Sequence, residues 1–142
     1  MTPELVFGFV NPLALLAWIA LAVAPRRTAV VTGLVVPAIF AALYVALIAG
    51  FWGGTDGGFD TLDAVARLFA NRWLLLAGWV HYLCFDLLVG AWEVRDAQER
   101  GVPHWLVLPC LALTFLFGPA GWLLYKGLSS RASSRSSARS RA

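Results

Sequence analysis

A group of acids followed by a histidine stands out in an otherwise apolar sequence. Asp86 lies inside an apolar segment, and Glu93, Asp96 and His104 follow it within 18 residues. Carboxylic acids and histidines are the side chains that most often donate and accept protons in enzymes. Ionisable residues inside a bilayer are costly and are by default candidates for function. The pattern therefore indicates acid/base chemistry, with Asp86, Glu93 and His104 as the candidate catalytic residues.

Most of these polar residues share one edge of a helix. With 3.6 residues per turn, that edge carries Trp79, Tyr82, Asp86, Gly90, Glu93, Asp96 and Arg100, here called the polar ribbon. Asp96 and Arg100 are spaced to form an i,i+4 ion pair. Because ionisable groups avoid lipid, we expect the ribbon to face the interior of a helix bundle.

The candidate substrate-binding residues are polar or aromatic neighbours of the acids. They are Asn11, Tyr82, Asp96, Arg100 and Trp105.

Simpler roles exist for several members of the site. Asp86 could only hydrogen-bond across helices, which is typically worth about 0.6 kcal/mol in membranes. The segment from Glu93 to Arg100 could be a solvated helix end, and His104 could be an interfacial residue beside Trp105.

The composition predicts a membrane protein. Hydrophobic residues make up 60% of the 142 residues and charged residues 13%, whereas soluble domains are about 25% charged. A membrane helix needs about 20 mostly apolar residues, and four blocks meet that length. They cover about residues 5–24, 28–50, 73–100 and 106–128. The prediction is an all-α integral membrane protein whose residues 1–128 form a four-helix bundle.

Two segments lie outside these blocks. Residues 60–73 have apolar positions at helical spacing, and Asp60 or Thr61 could cap a helix there. We predict a short interfacial helix between helices 2 and 3, although the segment could also extend helix 3. Residues 129–142 are a Ser/Arg-rich tail with four arginines, which predicts a disordered, solvated basic segment and no nucleic-acid binding.

The orientation signals disagree if four helices cross the membrane. Four crossings put both termini on one side, and basic residues mark the cytoplasmic side. Arg26 and Arg27 follow helix 1, which favours termini outside. Lys126 and the tail arginines favour termini inside, and we adopt this second orientation because those residues are more numerous.

The sequence carries no recognisable cofactor motif. There is no phosphate-binding loop, dinucleotide fingerprint or nucleophile elbow. Cys84 and Cys110 lie in apolar blocks, and neither they nor His81, Asp86 and His104 have the spacing of a tight metal site. We therefore predict neither a metal nor a cofactor.

The C-terminal half resembles the abscisic-acid-deficient-type membrane proteins, a neoxanthin-synthase-like family. The matching pieces are Phe85-Asp86-Leu87, Gly90, Asp96, Glu99-Arg100-Gly101, His104-Trp105, Pro109-Cys110, Leu113-Thr114-Phe115 and Phe117-Gly118-Pro119, with Asn11 and Ala24-Pro25-Arg26 in the N-terminal half. The resemblance implies four membrane helices. For plant members it implies conversion of the epoxy-carotenoid violaxanthin to the allenic neoxanthin.

That conversion is an isomerisation, in which an epoxide opens and a proton moves without net redox change. It needs an acid for the epoxide oxygen and a base for a carbon-bound proton. Asp86 and Glu93 could divide these roles, and Arg100 or His104 could orient a polar end ring.

The predicted function is an isomerase acting on a carotenoid or another isoprenoid lipid. The alternative is a non-catalytic protein that binds a lipid or carotenoid and assists a partner enzyme; a proton-coupled transporter is disfavoured, because a single acid at depth makes a short relay. We expect membrane lipid and an isoprenoid ligand as partners, with a homodimer or a partner membrane enzyme as further options. The missing plastid leader and the Arg-rich tail favour a multi-pass member in a bacterial plasma membrane.

Overall fold

The computed structural model describes residues 2–139, and this part of the chain is all-α. It contains six helices and no strand: α1 Pro3–Val23, α2 Pro25–Gly54, α3 Leu62–Ala70, α4 Arg72–Glu99, α5 His104–Phe117 and α6 Pro119–Arg139. Three of them, α1, α2 and α4, are long and apolar enough to cross a membrane. The all-α class is confirmed, and the predicted blocks at 5–24, 28–50 and 73–100 correspond to these three helices.

A threonine at each end of α1 determines where the helix begins and how it joins α2. Thr2 accepts a hydrogen bond from the backbone N of Leu5 at 3.4 Å, and Pro3 occupies the first turn, where its missing N–H costs nothing. At the other end, the hydroxyl of Thr28 donates to the carbonyl oxygens of Ala20 and Ala24 at 3.1 and 2.9 Å. These bonds satisfy carbonyls at the end of α1 and join it tightly to α2.

The short α3 is separate from α4. Thr61 caps it, accepting a hydrogen bond from the backbone N of Ala64 at 3.1 Å. The backbone then becomes extended at Asn71 (ψ 116°), and the Asn71 side chain caps α4 by accepting from the backbone N of Trp73 at 3.0 Å. The segment before α4 is therefore a separate short helix, as predicted, and the alternative that it extends the third predicted membrane helix is wrong.

The helix α4 is the centre of the fold and contacts α1, α2, α3, α5 and α6. It has 28 residues, about 42 Å at 1.5 Å per residue, so it exceeds the ~30 Å hydrocarbon core. It ends as predicted at Gly101, which has φ +66°. The backbone N of Val102 donates to the carbonyl of Ala97 at 2.8 Å, which completes a glycine-dependent helix stop.

The single helix predicted over residues 106–128 is wrong. Gly118 has φ +43°, and Pro119 starts a new helix that folds back beside α5. The two helices touch so closely that a Cβ on Gly121 would overlap Thr114 Oγ1 and lie 2.6 Å from the carbonyl oxygen of Cys110. α5 and α6 thus form a helical hairpin, and the structure has three long helices plus this hairpin where the sequence predicted a four-helix bundle.

The hairpin lies along one half of α4, with its tip near the middle of that helix. Gly118, at the tip, lies against Asp86, and Tyr125 on the returning helix bonds Asp96 near the end of α4. α5, with 14 residues, is about 21 Å long and is too short to cross the ~30 Å core. Both ends of the hairpin therefore lie at the end of α4 that carries Glu99.

The helix α6 extends past residue 128, where the sequence predicted the start of a disordered tail. It continues through Arg139. Residues 140–142 lie outside the described part of the chain, and the disorder of the tail stays a prediction.

Replacement of Gly121 by alanine should destabilise the hairpin. The new Cβ would overlap backbone and side-chain atoms of α5, and overpacking of this kind costs about 1–3 kcal/mol. Gly127→Ala is the matched control, because a Cβ at Gly127 on the same helix meets nothing within 4 Å. The free energies of unfolding can be compared by SDS titration in mixed micelles, and equal values for the two variants would contradict the close packing.

Candidate functional site

The polar ribbon of α4 faces protein, as the sequence predicts. Its members contact α1, α5 and α6 through Asn11, Trp18, Thr114, Phe115, Gly118 and Tyr125. The opposite side of α4 packs on α2, where Cys84 Sγ donates to the carbonyl of Pro37 at 3.3 Å and His81 contacts the ring of Tyr44. The ribbon is thus the contact surface between α4, α1 and the hairpin.

Asp86 lies at the hairpin tip, about 21 Å along α4 from its first residue. A Cβ on Gly118 would lie 2.9 Å from Asp86 Oδ1, so the absence of a side chain at Gly118 makes room for the carboxyl group. Within the described residues Oδ2 is enclosed and has no hydrogen-bond partner. The side chain as a whole is only half-buried. Asp86 therefore combines one oxygen that has no partner with a partly open surface.

Glu93 is enclosed more completely than Asp86. It is fully buried, and its Oε1 accepts a hydrogen bond from Thr114 Oγ1 at 3.0 Å. Its Oε2 has no partner among the described residues. Glu93 therefore joins α4 to α5, and in this conformation it has no open surface through which a ligand could reach it.

Tyr82 supplies a donor that the hairpin lacks. In a continuous helix the carbonyl of Phe115 would accept from residue 119, but Pro119 has no N–H. Tyr82 Oη donates to that carbonyl at 2.9 Å instead. On the neighbouring side, Trp79 Nε1 donates to Asn11 Oδ1 at 2.7 Å. Asn11 therefore contacts the ribbon, as the sequence suggested, through a tryptophan.

At its Arg100 end, the polar ribbon forms a hydrogen-bonded cluster with α6. Arg100 Nε donates to Asp96 Oδ2 at 2.7 Å, so the predicted i,i+4 pair is present. The buried Tyr125 donates its hydroxyl to the same oxygen at 2.5 Å. The hydrogen bond from Arg100 to Asp96 raises the pKa of the guanidinium group. This cluster fixes the returning helix α6 to the end of α4.

His104 and Trp105 are not brought to the acids. His104 starts α5 while Asp86 contacts its far end, so the two are separated by about the 21 Å length of that helix. His104 Nε2 lies 2.7 Å from the carbonyl oxygen of Ala22 and joins the start of α5 to the end of α1. Trp105 has 68% of its surface exposed, as expected of a residue at the membrane interface.

Sequence reasoning missed the residues of the hairpin that complete the site. Hydropathy alone places Gly118 within one helix, although a Gly-Pro pair is a strong break signal. Thr114 is a lone polar residue in an apolar helix, and that isolation was the available signal for a buried partner. No sequence pattern indicates the contact made by Trp18. A Cβ on Gly90 would lie 2.6 Å from Trp18 Cη2, so the tryptophan ring occupies the space that a side chain at Gly90 would need.

Replacement of Thr114 by valine should destabilise the protein by about 1–3 kcal/mol. The enclosed Glu93 would lose its only described hydrogen bond, and a buried polar group without a partner carries a penalty of that size. Thr114→Ser keeps the hydroxyl and is the matched control. Unfolding in SDS micelles provides the free energies, and a valine variant as stable as the serine variant would show that the bond contributes nothing.

Comparison with known proteins identifies the family. No curated protein and no solved structure matches the chain. The sequence profile of the ABA DEFICIENT 4-like family matches residues 5–125, which include α1 to α5, the hairpin tip and Tyr125. This match is compatible with a membrane protein related to carotenoid metabolism. The chain belongs to the ABA DEFICIENT 4-like family.

Proposed function

We propose that the protein is a multi-pass membrane enzyme that isomerises a carotenoid or another isoprenoid lipid by acid/base chemistry at Asp86. Family membership and three apolar helices support the substrate class and the membrane setting. The observation that carries the proposal is the half-buried carboxyl group at the hairpin tip, with one oxygen that no described residue engages.

Access from the lipid distinguishes Asp86 from Glu93. Large apolar side chains next to Asp86 and the tip are exposed, with 55% of Phe85 and 64% of Phe117 on the surface. A polyene dissolved in the membrane could lie along these rings and bring a polar end group to the carboxyl group. Glu93 has no comparable exposed surface, so we propose that it supports the hairpin through the hydrogen bond that it accepts from Thr114.

A single carboxyl group can complete the isomerisation of an epoxide. The protonated Asp86 gives its proton to the epoxide oxygen as the carbon–oxygen bond breaks. The resulting carboxylate then takes a proton from the adjacent carbon, whose bonding electrons form the new double bond. The acid is regenerated and the product carries a hydroxyl group, so atoms and electrons balance without a redox partner. Acid/base steps of this kind typically contribute 10²–10⁴-fold to a rate.

The other predicted site residues stay predictions. Catalysis by Glu93 would need a conformation in which its carboxyl group is exposed. Catalysis by His104 would need one that brings its ring towards Asp86. The conversion assay described below also tests substrate contacts of the remaining candidates, which are Asn11, Tyr82, Asp96, Arg100 and Trp105. Location in a bacterial plasma membrane stays a prediction.

We propose three membrane crossings, by α1, α2 and α4, followed by a re-entrant hairpin. The Glu4–Arg72 ion pair of 2.6 Å lies at one end of the bundle, and the His104 contact with Ala22 lies at the other. An odd number of crossings brings Arg26, Arg27 and Arg100 to the same side as Lys126 and the tail. The two basic signals that conflict for four crossings therefore agree, and they mark that side as cytoplasmic.

Labelling of single cysteines tests this topology. Asp60→Cys, in the loop before α3, should react with a membrane-impermeant maleimide on intact cells. Ser130→Cys, near the end of the described side chains, should react only after the cells are permeabilised. Four crossings put both positions on one side, so equal labelling in intact cells would contradict the re-entrant hairpin.

The alternative function is non-catalytic binding of a lipid or carotenoid. The enclosed Glu93 favours it, because a buried carboxyl group bonded to Thr114 is explained by helix packing alone. In that case the exposed aromatic surface near Asp86 would hold a ligand without changing it.

Asp86→Asn should reduce product formation by more than about 100-fold, because the amide can neither give nor take the required proton. Membranes containing the protein would be supplied with violaxanthin or other isoprenoid lipids, and the pigments profiled by chromatography. Retained ligand with lost product would identify a catalytic acid.

Glu99→Gln is the control, since it removes an exposed acid from the same helix and should leave product formation unchanged. An Asp86→Asn variant that turns over substrate like the parent protein would show that Asp86 is not the catalytic acid. A parent protein that retains an isoprenoid without converting it would leave binding as the function. A protein that neither converts nor retains any isoprenoid would contradict both functions.

A further inference from the structure

A polar cavity lies at the end of the bundle opposite the Glu4–Arg72 pair, away from Asp86. It has a volume of about 530 Å³ and is formed where the α1–α2 junction meets the start of α5. Its lining includes Arg26, Arg27, Gln98 and His104. A volume of 300–1,000 Å³ is usual for small-molecule sites, so a lipid headgroup fits this space.

The charged side chains that line this cavity are basic. No acid is among the residues that line it. Arg26 and Arg27 are exposed, and among the ion pairs of the described residues neither arginine has a carboxylate partner. Guanidinium groups bind phosphates through paired hydrogen bonds. Two arginines facing a cavity without acids are therefore suited to a phosphate ester.

The cavity also has an apolar border at the level where the helices leave the lipid. Val23 and Val102 line it beside the polar groups, and 79% of the Val23 surface is exposed. The His104 contact with Ala22 fixes the wall between α1 and α5. A ligand with a charged head and an acyl tail matches this combination better than a fully polar one.

We propose that this cavity binds the phosphate ester of an anionic phospholipid, with Arg26 and Arg27 on the phosphate and the acyl chains passing over Val23. This site is separate from Asp86 and does not depend on the isomerase proposal. With the topology inferred above, it faces the cytoplasmic leaflet, whose anionic lipids attract basic residues near the surface.

The test is a thermal-shift titration of the full chain in a neutral detergent. The probes are short-chain phosphatidylglycerol, short-chain phosphatidylcholine and inorganic phosphate. Phosphatidylglycerol should raise the melting temperature more than either of the other two. The double variant Arg26→Gln/Arg27→Gln should bind it roughly tenfold or more weakly, because each basic residue near an anionic lipid contributes several-fold in affinity.

Two controls separate this site from general charge and from misfolding. Arg67→Gln/Arg72→Gln removes the same charge at the other end of the bundle and should bind phosphatidylglycerol like the parent protein. Arg26→Lys/Arg27→Lys keeps the charge but not the paired hydrogen bonds, so its affinity should lie between those of the parent protein and the glutamine variant. Equal weakening by both glutamine pairs, or an equal response to inorganic phosphate, would overturn the lipid site.

Discussion

The fold depends on how a backbone that turns between apolar helices satisfies its polar groups. Lipid offers no hydrogen bonds, so in the proposed re-entrant topology this irregular backbone has to be covered by protein. The break at Gly118 and Pro119 leaves the carbonyl of Phe115 without its helical donor, and Tyr82 provides one from α4. The hairpin can therefore turn at this depth because α4 carries polar groups at the matching level.

The three acids of the ribbon show how depth and partners give similar side chains different roles. Asp96 accepts from Arg100 and Tyr125 and fixes the end of α6. Glu93 is enclosed and bonded to Thr114, so it acts within the core. Asp86 differs from Asp96 because one of its oxygens is unengaged, and from Glu93 because its surface is partly open. Chemistry on a lipid is assigned to Asp86 for this reason.

The sequence predicted the helices well where length and composition were sufficient. The all-α class, the bounds of α4, its stop at Gly101 and the inward direction of the polar ribbon all follow from hydropathy and spacing. The hairpin did not follow, because residues 106–128 have the composition of one membrane helix. The difference depends on the positive φ of Gly118 and on the close approach of Gly121 to Thr114, which are properties of tertiary packing.

The helical hairpin also bears on how the chain is made. A fourth crossing would require the membrane insertion machinery to carry the polypeptide after Glu99 through to the far side or to reverse its direction. In the proposed topology the hairpin enters and leaves by the same face and needs neither step, so it can insert after α1, α2 and α4 are in position. The Ser/Arg segment then remains in the compartment where it was translated, and a reporter fused to it would fold there without export.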